Sequence, residues 1–257
     1  MSALPSQLEN VSVEVRNLRK SFGALNVLKG LNFKVNPGEI FVIMGPSGSG
    51  KSVLLRHIIG LETPDTGQIL IQGEPVGGIG LRDKYRMAMV FQSAALLTSL
   101  SVGENVGLYL TEHHLKSPAE IASIVAEKLE TVGLKGVENR APADLSGGMQ
   151  KRVAIARALV MEPQLFLFDE PTAELDPPMA VTIDEEILEL KNRTHATSII
   201  VTHDRPMAFS LADRVAMIID GQILFIGTPD EVKRHSDPRI QEFINAKPPT
   251  SKPRIMS

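Results

Sequence analysis

The stretch Gly45-Pro46-Ser47-Gly48-Ser49-Gly50-Lys51-Ser52 constrains this chain more than any other. It fits GxxxxGK[ST] in full. A continuous apolar run, Ile40-Phe41-Val42-Ile43-Met44, precedes it, and Val53, Leu54, Leu55, Ile58 and Ile59 follow at helical spacing. A run apolar on both faces belongs to a buried parallel strand. Glycines in a loop placed this way let the backbone wrap closely around phosphate oxygens. Successive N–H groups and the helix N-terminus turn positive dipole toward them. Lys51 adds a full charge, and the Ser52 hydroxyl is a ligand for Mg²⁺. The plain alternative is a glycine-rich turn before a helix. Average composition produces such a string by chance in about 1% of chains this long, and the strand–loop–helix setting lowers that further.

The flanking patterns predict an α/β chain. Val11, Val13 and Val15 alternate with polar residues, as do Leu31, Phe33 and Val35 before the turn Asn36-Pro37-Gly38, so antiparallel strands are expected there. Ser117-Pro118-Ala119-Glu120 is a capping box with proline at the first helical position. Ile121, Ile124, Val125, Leu129 and Val132 then recur at helical spacing up to Gly133. A further helix is expected from about 146 to 161. Strand-like runs return at 164–168 and 198–202, while those at 215–219 and 223–226 flank Asp220-Gly221, a hairpin signal. The expected organisation is a P-loop NTPase (RecA-like) core with an antiparallel β subdomain, over residues 11–246. A helical subdomain is expected as an insertion at about 93–160. The last stretch, 247–257, holds three prolines and three positive charges and is expected to be an extended arm.

Leu165-Phe166-Leu167-Phe168-Asp169-Glu170 is an apolar strand ending in two acids. As a second parallel strand beside the loop strand it would bring Asp169 to a magnesium shell through water, and Glu170 to an attacking water. Alone, the same string is a strand running into a solvated turn. Composition narrows the chemistry. The absence of cysteine excludes disulfides and Cys-ligated zinc or iron–sulfur sites, and a net charge of −3 gives no global basic field for nucleic acid. No run nears the roughly 18–20 apolar residues of a membrane span, and residues 1–10 lack the basic start and apolar centre of a signal peptide.

Leu145-Ser146-Gly147-Gly148-Met149-Gln150 adds a serine–glycine–glycine helix start about twenty residues before the acidic strand. With it the chain resembles the ABC ATPase family, whose signature motif is LSGGQ-like at this spacing. The other family elements stand in order: Phe22 as the aromatic that stacks on adenine, Gln92 after the run 87–91 as the Q-loop, Ala173-Glu174-Leu175-Asp176 as the D-loop, and His203 as the switch histidine. The resemblance implies an ATPase that hydrolyses ATP to ADP and phosphate. Two subunits would pack head to tail, each nucleotide lying between one P-loop (Gly45 to Ser52) and Ser146, Gly147 and Gly148 of the other. It further implies Mg²⁺ near Ser52, Gln92 and Asp169, with Glu170, His203 and Gln92 around the γ-phosphate and the water. Two residues depart from the family pattern: Met149 replaces the usual glutamine, and Glu174 stands where a small residue is usual.

Val53, where most importer ATPases carry threonine, is one of several softer matches. The others are Val90-Phe91-Gln92-Ser93-Ala94-Ala95-Leu96-Leu97, Met149, and Asp237-Pro238-Arg239-Ile240-Gln241-Glu242-Phe243. In these the chain is similar to the MCE-associated (Mla-type) lipid-transport ATPases. That resemblance implies an integral-membrane permease, an MCE-type lipid-binding protein, and a place at the cytoplasmic face of the inner membrane. The alternatives are an importer ATPase for another cargo, such as an amino acid or ion, and a soluble non-transport ABC ATPase. The latter lacks support because the chain has neither a coiled-coil insertion nor a second cassette.

Overall fold

A computed structural model describes residues 10–78 and 80–246. The elements run β1 (Val13–Phe22), β2 (Leu25–Val35), β3 (Ile40–Met44), α1 (Lys51–Ile58), β4 (Thr66–Ile71), β5 (Glu74–Pro75), α2 (Leu81–Lys84), β6 (Met87–Val90), α3 (Val102–Glu112), α4 (Pro118–Thr131) and α5 (Gly147–Leu159). They continue with β7 (Leu165–Asp169), α6 (Pro177–Thr194), β8 (Thr197–Thr202), α7 (Arg205–Leu211), β9 (Arg214–Ile219), β10 (Gln222–Gly227), α8 (Pro229–Arg234) and α9 (Pro238–Asn245).

The strands divide by hydrophobic pattern. Alternating β1 and β2 pair antiparallel (Val13 opposite Val35), and β4 joins the other edge of β1, giving the order β2-β1-β4-β5. The wholly apolar runs form a second sheet, β10-β9-β3-β8-β7-β6, parallel except for β10. Every residue of β3, β7 and β8 is buried, because both faces of this sheet are covered. Period-2 alternation splits these strands between two cores. Phe41, Ile43, Leu165 and Leu167 pack with Leu54, Leu55 and Ile58 of α1 and with the antiparallel sheet. Val42, Met44, Phe166 and Phe168 face α5, α6 and α7 through Val153, Ile183 and Met207. The Phe33 and Phe41 rings stack at 5.4 Å and tie the small sheet to the large one. Each such side chain contributes about 1.5–3 kcal/mol on burial.

Local signals account for most boundaries. Ser117 and Glu120 form the expected capping box of α4, and Ser101 and Glu104 form another on α3. Asp220 (φ 50°) and Gly221 (φ 73°) are both left-handed, as a two-residue hairpin between β9 and β10 requires. α3, α4 and α5 share the core that contains Val106, Leu129 and Val153.

One expectation changes. β7 does not lie beside β3: β8 stands between them, pairing with both. Nothing local in a buried strand encodes its neighbours; the crossovers decide them. The function expected of β7 does not depend on adjacency, because parallel strands end on one edge. Met44 is level with Thr202, and Asp169 with Val201, so the loop after β3, the acids after β7 and His203 after β8 leave the sheet together. Between β7 and β8, a stretch the sequence patterns above leave unassigned, α6 spans 18 residues. It starts at Asp176, whose side chain caps it, and buries Ile183, Ile187 and Leu190. The expected arm at 247–257 lies outside the described residues.

Candidate nucleotide site

The carboxyl end of β3 runs into the loop and the loop into α1. Gly45 passes so close to β9 that a Cβ there would sit 2.0 Å from the Ile218 carbonyl oxygen. Gly50, at φ 97°, turns the chain into α1 in the left-handed conformation. Whereas α3, α4 and α5 have serine side chains accepting from their first turns, α1 starts with no side-chain cap. Its first N–H groups remain for an outside acceptor, backed by the helix dipole. Beside them the buried Ser49 hydroxyl has no partner among the described residues. Lys51 is only 6% exposed and donates through Nζ to the carbonyl oxygens of Gly45 (2.8 Å) and Pro46 (3.0 Å). Burial lowers its pKa, opposed by the nearby Glu170 and Asp169 carboxylates. A polyphosphate fits this cradle: it supplies acceptors for the open N–H groups and negative charge for the desolvated ammonium.

Across the cradle, the Ser52 hydroxyl donates to Asp169 Oδ1 at 2.7 Å. Burial pushes the Asp169 carboxyl above the ordinary carboxylate range, and the Ser52 hydrogen bond works against that. A cation at these two oxygens would offset the same penalty. Among the described residues no cluster of three or more His, Cys, Asp or Glu forms a metal cage. The Ser52 hydroxyl and the Asp169 carboxylate fit Mg²⁺, which binds through one or two protein oxygens and keeps water and substrate phosphate for the rest.

Glu170 sits at the centre. Its backbone is left-handed (φ 47°), uncommon without glycine, and its N–H donates to the Val201 carbonyl at 2.9 Å. Oε2 accepts from the His203 ring Nδ1 at 2.8 Å, and from the Thr202 hydroxyl and the His203 N–H at 3.2 Å each. Oε1 lies 3.5 Å from Lys51 Nζ. One carboxylate thus joins the ends of β7 and β8 to the phosphate loop, while the His203 side chain stays 54% exposed above it.

The other expected residues are more open. Ser146 and Gly147 are exposed, and Gly148 is buried against Met179 of α6. Ser146 Oγ accepts from the Met149 N–H, which leaves its own proton to donate outward. Among the described residues no hydrogen bond joins Ser146, Gly147 or Gly148 to the loop 45–52, so the chain does not bring these two candidate groups together by itself. Phe22 is 46% exposed, with Lys20 Nζ 5.3 Å from its ring centroid. The Gln92 side chain is exposed, and its backbone carbonyl accepts from the buried Lys151 ammonium.

Residues 28–173 match the family model described as "ABC transporter". The chain belongs to the ABC transporter family. It is the ATPase subunit of such a transporter, hydrolysing ATP in a reaction coupled to transport. Among curated proteins it is 41% identical over 259 residues to Protein TRIGALACTOSYLDIACYLGLYCEROL 3, chloroplastic, of Arabidopsis thaliana, covering 92% of this chain and 75% of that one. It is 42% identical over 238 residues to the sulfate/thiosulfate import ATP-binding protein CysA of Methylococcus capsulatus, covering 91% and 68%. Among solved structures it is similar to a dimeric ATP-binding cassette in a post-hydrolysis state bound to ADP and Pi, with 32% identity, a TM-score of 0.77 and coverage of 84% and 98%.

Within this ABC ATPase, sequence reasoning missed residues that support the site from behind. Thr202, which holds Glu170, was findable as a polar residue ending an apolar strand just before His203. Lys151 was not: its contact with Gln92 joins residues 59 positions apart. Lys151 also faces Glu174, the unusual D-loop acid, together with Asp169 and Glu170, and burial lowers its pKa against those three carboxylates.

Proposed function

We propose that Lys51, Ser52, Asp169, Glu170 and His203 carry out the hydrolysis. The carrying observation is the Glu170 carboxylate, held by Thr202 and His203 within 3.5 Å of Lys51. In this reading Glu170 accepts the proton of a water attacking the γ-phosphorus. The bond to the bridging oxygen breaks, and ADP and phosphate leave. Lys51 and the loop N–H groups carry the charge of the phosphates, and His203 holds the water and γ-phosphate in line. Ser52 and Asp169 would hold Mg²⁺, with the Gln92 side chain sensing it; the ion neutralises charge on the phosphate oxygens. Phe22 supplies a face for adenine. Ser146, Gly147 and Gly148 complete the site of a second copy, so two chains enclose two nucleotides. The cassette occupies 11–246 and its helical part about 93–160.

The cargo is a phospholipid or related lipid, handled by an integral-membrane permease with an MCE-type lipid-binding protein. Two things support this: the matches at Val53, 90–97, Met149 and 237–243, and likeness to a protein named for a galactolipid over 75% of its length. No helix among the described residues is long and apolar enough to cross a membrane, so the chain would sit at the cytoplasmic face of the inner membrane through the permease. The likeness to a sulfate/thiosulfate importer, at 42% identity, favours a second reading with an inorganic anion as cargo. Affinity purification from membranes decides between them. A permease with an MCE subunit and bound lipid is expected. A solute-binding protein with no MCE subunit would defeat the lipid reading and leave the ATPase intact.

A further inference from the structure

Between β6 and α3 the chain from Phe91 to Ser101 forms neither helix nor strand. It contains Gln92, and its backbone is irregular in an informative place: Ala94 (φ 59°) and Ala95 (φ 49°) are consecutive left-handed residues, and neither is glycine. Such a pair persists only where surrounding groups hold it.

Within the turn the Ala94 N–H donates to the Phe91 carbonyl (3.1 Å) and the Ala95 N–H to the Ser93 carbonyl (2.7 Å), and side chains of α5 and α3 hold the segment from one side. Arg157 of α5 donates through Nη2 to the Ala94 carbonyl (2.9 Å) and through Nη1 to the Ala95 carbonyl (2.8 Å). Lys151, six residues earlier on α5, donates to the Gln92 carbonyl. Asn105 of α3 is fully buried; its Oδ1 accepts from the Leu97 N–H and its Nδ2 donates to the carbonyls of Leu97, Leu100 and Ser101. Both ends of the guanidinium fork are used on adjacent carbonyls, a geometry that a lysine cannot copy. Burial lowers the Arg157 pKa, with no carboxylate among the causes. Among the described residues its guanidinium donates to these two backbone carbonyls.

We propose that Arg157 is a positioning residue: it clamps the left-handed Ala94–Ala95 turn to the signature helix and so fixes where Gln92 presents its side chain. Lys151 and Asn105 hold the two ends of the same segment. The Q-loop is then built as part of the helix that starts at Ser146, and Gln92 and Ser146 move as one body. This rests on the reading above that the Gln92 side chain senses magnesium.

The purified full chain tests it through steady-state hydrolysis against ATP and against Mg²⁺, with nucleotide binding and Tm measured in parallel. Arg157→Lys should lower kcat about tenfold and raise the half-saturating Mg²⁺ severalfold, while ATP KM changes less than about twofold. Ala95→Val changes an exposed side chain but penalises the left-handed backbone; it should give the same split. Ala95→Gly should keep wild-type values and, combined with Arg157→Lys, recover part of kcat. Loss of Tm with kcat and Mg²⁺ dependence unchanged would make Arg157 merely structural and overturn the proposal, and so would a wild-type profile for Ala95→Val. Gln92→Ala separates the two layers. If it is impaired while Arg157→Lys and Ala95→Val are not, the clamp alone fails. If it is itself unaffected, the role of Gln92 fails and the clamp with it.

Discussion

The phosphate loop and the signature segment are both glycine-rich starts of helices, yet the chain treats them oppositely. The loop is closed in on itself. Lys51 is buried, bonded to two loop carbonyls and close to Glu170, and Ser52 reaches Asp169 on another strand. The signature segment has an exposed Ser146 and Gly147 and no hydrogen bond to the loop among the described residues. Behind it, Gly148 packs against Met179 of α6. A group with few partners of its own costs little to place against another molecule, whereas a desolvated lysine and carboxylate must already be arranged. In the proposed reading the inner half is preorganised for chemistry and the outer half is supplied to a neighbour.

The sharpest way to break the inner half is Glu170→Gln. It keeps the size and the hydrogen bonds from Thr202 and His203 but loses the proton acceptor. Hydrolysis should fall by about 10²–10⁴-fold with ATP binding retained; near-normal turnover in a phosphate-release assay would place the base elsewhere. Lys51→Ala removes the buried cation of the cradle and should weaken ATP binding by at least about 10²-fold. A fluorescent-nucleotide titration with wild-type affinity would remove the loop from the site.

The smallest effect concerns how the outer half is held to the core. Arg152 of α5 lies 3.8 Å from Glu186 of α6. Burial pushes the Glu186 carboxyl up to about 7, although Arg152 opposes the shift. Burial, with Asp204 and Glu185 nearby, does the same for Asp184, also to about 7. Both folded-state values are raised, so the folded chain holds protons that the unfolded chain releases from about pH 4 upward. Their stabilisation is complete below that and is lost as pH rises through about 7. Asp184→Asn and Glu186→Gln should each flatten this dependence and raise Tm at pH 8 by about 2–4 °C, the equivalent of about 1 kcal/mol in a chain this size. A Tm that falls at pH 8 would contradict the assigned burial.

The closed half was also the legible half. Gly45 to Ser52, Asp169-Glu170 and the buried strands carry their meaning in adjacent residues. A left-handed turn needs Asp220-Gly221 side by side, and a capped helix needs Ser117 and Glu120 three apart. The illegible parts depend on distance along the chain. β8 separates β3 from β7 because of crossovers, not because of any residue in those strands. Lys151 and Arg157 reach the Q-loop from about sixty residues away, and the left-handed Ala94 and Ala95 gave no glycine to announce a turn. α6 was hidden by its double-proline start, Pro177-Pro178, which reads as loop although proline is welcome in a first helical turn.

The central claim is that each nucleotide site takes its inner half from one chain and its outer half from another, and mixing two damaged subunits tests it most directly. Lys51→Ala spoils the inner half. Ser146→Arg sets a bulky cation in the outer half and should leave nucleotide binding by an isolated subunit unchanged. Neither variant alone should occlude ATP in a dimer. A heterodimer of the two gathers both lesions in one site and leaves the other site whole. Random pairing of equal amounts in a two-fold dimer should then restore about a quarter of the wild-type sites, read as occluded nucleotide. Occlusion absent at every mixing ratio, with both variants folded, would contradict a site shared between chains.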